Sequence, residues 1–135
     1  LDLFSGVGSF GLECLSRGAL NAVFVESYKE VLDILKKNIE NLNYVNSSSI
    51  IEKDIFDRLD FKTLNKFDII FIDAPYKEKR VNMLLQKIFN AKILNNKAII
   101  IIHRHKKEND NLPDEFKIIE QKTYGISKII FGNFN

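Results

Sequence analysis

Leu1-Asp2-Leu3-Phe4-Ser5-Gly6-Val7-Gly8-Ser9-Phe10-Gly11 opens the chain, and its order of apolar strand end, glycine-rich turn and helix start decides the fold class. Residues 6–11 fit G-x-G-x-x-G, in which missing β-carbons let the backbone turn tightly and approach a ligand. Alone, the motif also describes a strand-to-helix turn with no ligand. Working outward, the first helix runs to Arg17, and Gly18 is placed to stop it. Residues 22–26 read as a second strand. Val31, Leu35, Ile39 and Leu42 then recur at spacings of four, four and three, one apolar helix face, while Lys36, Lys37, Asn38 and Glu40 point away. Residues 48–53 are a third strand. Residues 67–73 are a fourth, whose near-continuous apolar character predicts burial on both faces. Val81, Leu84, Leu85 and Ile88 mark another helix and residues 98–103 a fifth strand. After the polar loop 108–113, residues 116–123 and 126–134 form two β-rich runs around Tyr124-Gly125, an antiparallel hairpin. Strands alternating with helices predict an α/β protein with a mostly parallel sheet.

A chain of 135 residues with 45% apolar and 28% charged side chains has the make-up of one soluble globular domain. Disorder, collagen and coiled coil are excluded as descriptions of the whole. The longest apolar run, residues 98–102, is far short of a membrane span, and no membrane partner is expected. One cysteine, Cys14, allows no internal disulfide or cysteine-based zinc set, so a reducing, cytoplasmic setting and a core role for Cys14 are expected. The net charge of +2 is too mild to announce a nucleic-acid protein. Two local clusters are denser: Lys77, Lys79 and Arg80, and His103 to Lys107. Without further context both read as solvated surface. Because residue 1 already reads as strand, the chain is expected to be a single domain truncated at its amino terminus.

Carboxylates end or follow three of the strands. Glu26 lies 20 residues after Gly6, where a carboxylate can accept both hydroxyls of a ribose. A nicotinamide cofactor and S-adenosylmethionine are both served by this. Asp54 can accept from an adenine amino group, with the N–H of Ile55 reaching a ring nitrogen; a helix N-cap for residues 55–59 is an equal and compatible reading. Asp73-Ala74-Pro75-Tyr76 follows the buried strand. An exocyclic amine on a base is a poor nucleophile, its lone pair being delocalised into the ring. A carboxylate from Asp73 and a main-chain carbonyl near Ala74 or Pro75 can each accept one of its N–H bonds and turn the lone pair toward a methyl donor. Pro75 stiffens the loop, and Tyr76 offers a ring on which an extruded base stacks. The bland alternative is a bare turn with Tyr76 packed on the core.

Taken together, residues 2–19, Phe24-Val25-Glu26, Asn38, Asp54, Phe71-Ile72-Asp73-Ala74-Pro75-Tyr76 and Lys122-Thr123-Tyr124-Gly125 resemble the class I S-adenosylmethionine-dependent methyltransferases. They are most similar to the 16S ribosomal RNA guanine-N2 methyltransferases of the RsmD type. The resemblance implies a Rossmann-like seven-stranded, mostly parallel sheet with a C-terminal antiparallel hairpin and helices on both faces. It implies S-adenosyl-L-methionine as cofactor, held by Asp2, Phe4, Ser5, Gly6, Gly8, Glu26, Asp54 and Ile55. It implies Asp73, Pro75 and Tyr76 as catalytic residues and Ala74, Tyr76, Lys77 and Arg80 as substrate-binding ones. The reaction would be in-line methyl transfer to guanine N2 of 16S ribosomal RNA or a small-subunit assembly particle, by a monomer, with no metal. The family usually has a proline where Ala74 stands. His103 and Arg104 stand where relatives often carry an acid, an altered substrate-side contact. For His103 and His105, phosphate contact or plain solvation is expected ahead of metal binding.

Three rivals share parts of the pattern. An adenine-N6 methyltransferase uses the same kind of loop and is told apart by its product. An NAD-dependent oxidoreductase accounts for residues 6–11 and Glu26 but gives no reason for residues 73–76. An RNA-binding scaffold without catalysis is the non-enzymatic reading.

Overall fold

The computed structural model describes residues 1–134, which fall into two compact units, Leu1–Leu59 and a second beginning at Asp60. In the first unit, strands β1 (Asp2–Leu3), β2 (Ala22–Val25) and β3 (Ser48–Ile51) alternate with helices α1 (Ser9–Ser16) and α2 (Lys29–Asn41). All three strands are parallel, with β1 and β3 on either side of β2. Helix α1 ends as its sequence requires. Gly18, at φ +103°, lets its own N–H reach Leu15 O at 3.1 Å and that of Ala19 reach Cys14 O at 3.0 Å, the paired closure of a Schellman motif. The core joins Leu12 and Leu15 of α1, Ala22 and Phe24 of β2, and Leu32, Leu35 and Ile39 of α2. The expected α2 face is therefore turned by one position. Leu32 takes the buried place, Val31 is only half-buried, and Leu42, past the last helical turn, is exposed. Asn38, expected to face water, instead donates from Nδ2 to Val7 O at 2.9 Å.

The second unit holds β4 (Phe67–Ile72), α3 (Val81–Ala91), β5 (Leu94–His105), β6 (Lys117–Tyr124) and β7 (Ser127–Asn133). Strand β5 runs parallel to β4 and antiparallel to β7, and β6 pairs antiparallel with β7. The α/β class with seven strands, parallel except for a closing hairpin, is as expected. Val81, Leu84, Leu85 and Ile88 are fully buried, the predicted face of α3. Strand β4 is less enclosed than its composition suggests: Asp68 and Ile69 are exposed, while Ile70 and Ile72 are buried. The hairpin turn sits one residue later than read. Tyr124 pairs with Ser127, so Gly125 and Ile126 are the two loop residues, and φ +57° at Gly125 supplies the positive first position of a type II′ turn. Among the described residues no helix is long and apolar enough to cross a membrane.

Strand β5 extends two residues beyond the predicted His103, and its two-residue period sorts the basic residues at its end between two faces. Ala98, Ile100, Ile102 and Arg104 lie on one face, and all are buried. His103 and His105 lie on the other.

Candidate active site

In the first unit the glycine-rich turn is held by side chains that reach it from neighbouring strands. Phe4, leaving β1, takes the left-handed conformation at φ +60°, rare for a bulky residue, and its ring packs 6.0 Å from that of Phe56. Gly8 caps α1 at φ +88° and has no side chain to offer the helix N–H groups. Asp2 supplies the missing cap from nine residues earlier, its buried Oδ2 accepting from Gly11 N at 3.0 Å. Its charge, after burial itself, helps push the Cys14 thiol above its ordinary value. The glycines divide the steric work. A β-carbon on Gly6 would meet nothing, one on Gly8 would lie 2.5 Å from Leu35 Cδ1, and one on Gly11 would lie 2.4 Å from Phe24 Cε1. The second and third glycines are thus demanded by core packing, whatever the ligand.

Glu26, expected at a ribose, is already a backbone anchor. Oε2 accepts from Gly6 N at 2.8 Å, and Oε1 from Ser27 N at 2.8 Å and Tyr28 N at 3.0 Å. A carboxylate offers about four acceptor positions, so Oε2 keeps one for a further donor. Asp54 caps a single turn rather than a helix, with Oδ1 accepting from Phe56 N at 2.8 Å and Asp57 N at 2.9 Å. Two groups fit a bound molecule rather than the protein. Ser5 Oγ is buried without a hydrogen-bond partner. The N–H of Ile55, a buried residue, finds no acceptor among the described residues. An orphaned hydroxyl, an open amide and two carboxylates with spare acceptor capacity suit a ligand carrying amino, hydroxyl and heterocyclic nitrogen groups.

In the second unit, the loop after β4 is clamped from below by Arg104. The guanidinium has no solvent exposure. Nη1 donates to Pro75 O at 2.9 Å and, at the long distance of 3.5 Å, to Ala74 O; Nη2 reaches Glu78 O at 2.8 Å and Tyr76 O at 3.5 Å. Asp110 pairs it bidentately at 2.8 and 3.0 Å. Arg104 is therefore not the altered substrate-side contact that the resemblance implied for it. Pro75 O also accepts from Glu78 N at 2.8 Å, which uses both its lone pairs, while Ala74 O, on a buried residue, and Tyr76 O each carry only one long contact.

Asp73, on the upper side of the same loop, is half-exposed. Its Oδ1 lies 2.7 Å from His103 Nδ1, and His103 Nε2 lies 2.9 Å from Ser127 Oγ. His103 is thus engaged with a carboxylate and a hydroxyl, a correction to the phosphate or solvent expected for it. Tyr76 packs edge-on to the rings of His103 and His105, at 5.9 and 5.2 Å and 75° to each, which pins its ring. Of the expected basic contacts, Arg80 is turned onto Glu78 in a two-point pair at 2.8 Å, holding that carboxyl below its usual range. Lys79 pairs with Glu108 at 2.7 Å and lowers it likewise. Lys77 is exposed. A half-exposed carboxylate with one oxygen in use can accept an N–H bond from a planar amine.

The comparisons bear on the whole length of this arrangement. The family described as conserved hypothetical protein 95 matches residues 1–133. The ribosomal RNA small subunit methyltransferase D of Buchnera aphidicola subsp. Acyrthosiphon pisum is 36% identical over 123 residues, 90% of this chain and 63% of that protein. Its counterpart from Haemophilus influenzae is 32% identical over 130 residues, covering 93% of this chain and 66% of its own length. The chain therefore spans somewhat under two thirds of these relatives. A solved structure described as a conserved hypothetical protein of Streptococcus pyogenes overlays 98% of this chain and 83% of its own, with TM-score 0.85 and 27% identity. The chain belongs to the conserved hypothetical protein 95 family, the RsmD-type class I methyltransferases that its motifs resemble.

Proposed function

We propose that this chain is one S-adenosylmethionine-dependent methyltransferase domain acting on the exocyclic N2 of a guanine in 16S ribosomal RNA, naked or within a small-subunit particle, in the cytoplasm and as a monomer. The observation that carries the reading is the loop at residues 73–78, where Asp73 Oδ2 is left over once His103 has taken Oδ1, and where Ala74 O and Tyr76 O each meet Arg104 only at 3.5 Å. The names of the Buchnera and Haemophilus relatives support it from outside. S-adenosylmethionine, when bound, supplies a methyl group activated on a sulfonium. In this reading Ser5, Glu26, Asp54 and Ile55 hold the cofactor, with Asp2, Phe4, Gly6 and Gly8 shaping the turn beside it. Asp73 and Ala74 O accept the two N–H bonds of the guanine amine, turning its lone pair out of conjugation, and Tyr76 stacks on the base. On methylation the amine nitrogen would release one proton, which Asp73 or water would accept. Lys77 contributes a phosphate contact, and Arg80 does so when it leaves Glu78. Positioning supplies most of the acceleration.

Incubation with labelled S-adenosylmethionine and 16S ribosomal RNA, followed by nucleoside analysis, is expected to yield N2-methylguanine. N6-methyladenine as the product would replace the substrate assignment. Asp73→Ala is expected to reduce transfer by about 100-fold or more while S-adenosylhomocysteine affinity in a calorimeter stays within a few-fold. A fully active Asp73→Ala protein would sink the mechanism.

A further inference from the structure

We propose that His103 is a positioning residue for this reaction: it fixes the Asp73 carboxylate through Oδ1, so that Oδ2 is kept for the incoming amine, and Ser127 fixes the imidazole in turn. The inference rests on the function proposed above and deepens its site. Asp73 stands at the end of β4 with its side chain 45% exposed, where water competes for both oxygens and the carboxyl is otherwise free to rotate. His103 is better enclosed, at 24%, and holds Oδ1 at 2.7 Å.

The placement follows from strand geometry. The period of β5 puts His103 on the face opposite the buried Ile102 and Arg104. The antiparallel register pairs His105 with Ser127 and His103 with Ile129, which brings Ser127 diagonally next to His103, within reach of its ring. Tyr76, edge-on at 5.9 Å, limits the ring's remaining freedom.

The hydrogen assignment follows from the partners. An ionised carboxylate only accepts, so Nδ1 carries the hydrogen, and in a neutral imidazole Nε2 is then an acceptor that the Ser127 hydroxyl satisfies. Each member of the line Ser127, His103, Asp73 thereby sets the orientation of the next. A carboxylate ordered before the substrate arrives spares the reaction the cost of ordering it, and misplacement of about 1 Å in such a site costs roughly 100-fold in rate.

The test compares the unaltered protein with His103→Ala, His103→Asn and Ser127→Ala. It reads kcat and KM on 16S ribosomal RNA, S-adenosylhomocysteine affinity and thermal midpoint. His103→Ala is expected to lower kcat by about 100-fold, with KM and cofactor affinity within a few-fold. His103→Asn keeps an N–H donor close to the Nδ1 position but cannot reach Ser127, and is expected to regain roughly tenfold of that loss. Ser127→Ala should lose less than His103→Ala. A kcat for His103→Ala within about threefold of the unaltered protein, or an equal fall for the Asn and Ala variants carried by KM or by the thermal midpoint, would overturn the role. Transfer by the unaltered protein together with an unaffected His103→Ala variant would remove this inference alone. No transfer to guanine by the unaltered protein would remove the functional reading and this role together.

Discussion

A guanidinium closed off from water must have its donors matched one by one, and Arg104 is matched by one carboxylate and by four carbonyls of the loop after β4. The arrangement compensates for a local weakness. With alanine rather than proline at position 74, the loop has an extra rotatable φ, and the buried clamp restrains it from the core side. The Asp110 carboxylate is itself only 7% exposed, so removing the cation alone would strand a buried anion. Arg104→Met is therefore expected to destabilise the fold by about 3–5 kcal/mol in urea unfolding. Combining it with Asp110→Leu should restore part of that, the loop carbonyls remaining unpaired. A single variant within about 1 kcal/mol of the unaltered protein would show that the clamp does not restrain the loop. Arg104 was within reach of the sequence, because Ala98, Ile100, Ile102 and Arg104 continue one two-residue alternation. The run of basic neighbours concealed this by suggesting a single charged patch, although a strand sends adjacent residues to opposite faces. His103 gave no such sign: its partners lie 30 and 24 residues away along the chain.

Among the elements, the turn between β1 and α1 shows how one motif serves packing and binding at different positions. Glu26 holds Gly6 N, Asp2 holds Gly11 N and Asn38 holds Val7 O, so the turn is tied to β2, β1 and α2 at once. Gly11→Ala is expected to cost about 1–3 kcal/mol, since its β-carbon would fall 2.4 Å from a phenylalanine with no solvent exposure. Gly6→Ala meets no neighbour, and its cost should be about 1 kcal/mol, from φ +56° alone. Thermal melts of the two variants rank them, and a larger loss for Gly6→Ala would contradict this division of roles. The helices, the parallel strands and the hairpin were legible because hydrophobic period and turn residues are local signals. The glycine motif was legible as a turn. What its flanking carboxylates do for the backbone was not: the bonds from Gly11 N to Asp2 and from Gly6 N to Glu26 depend on where two strands end relative to a loop, which no period records. The same holds for α2, where spacing picked out Leu35 and Ile39 but passed over Leu32, three residues before Leu35 on the same face, in favour of Val31.

Across the whole molecule, the residues proposed for the cofactor all belong to the first unit and those proposed for the base and its amine all belong to the second. Each set is built at the carboxyl ends of parallel strands: Phe4 after β1, Glu26 after β2, Asp54 after β3 and Asp73 after β4. That is the end at which open α/β sheets take ligands. The division predicts separable effects. A ligand that binds only the folded protein adds RT ln(1 + [L]/Kd) to its stability, about 2.7 kcal/mol at a hundredfold excess over Kd. At about 4 °C per kcal/mol for a domain of this size, S-adenosylhomocysteine should raise the melting temperature by roughly 10 °C, and NAD at the same concentration should leave it unmoved. Asp73→Ala should retain the full shift. Glu26→Gln should lower both the starting midpoint and the shift, because the same carboxylate holds Gly6, Ser27 and Tyr28 and offers its remaining acceptor position to the ligand. A shift lost in Asp73→Ala but kept in Glu26→Gln would reverse the assignment of the two units. A shift produced by NAD and not by S-adenosylhomocysteine would remove the methyltransferase reading, leaving residues 73–76 without a role.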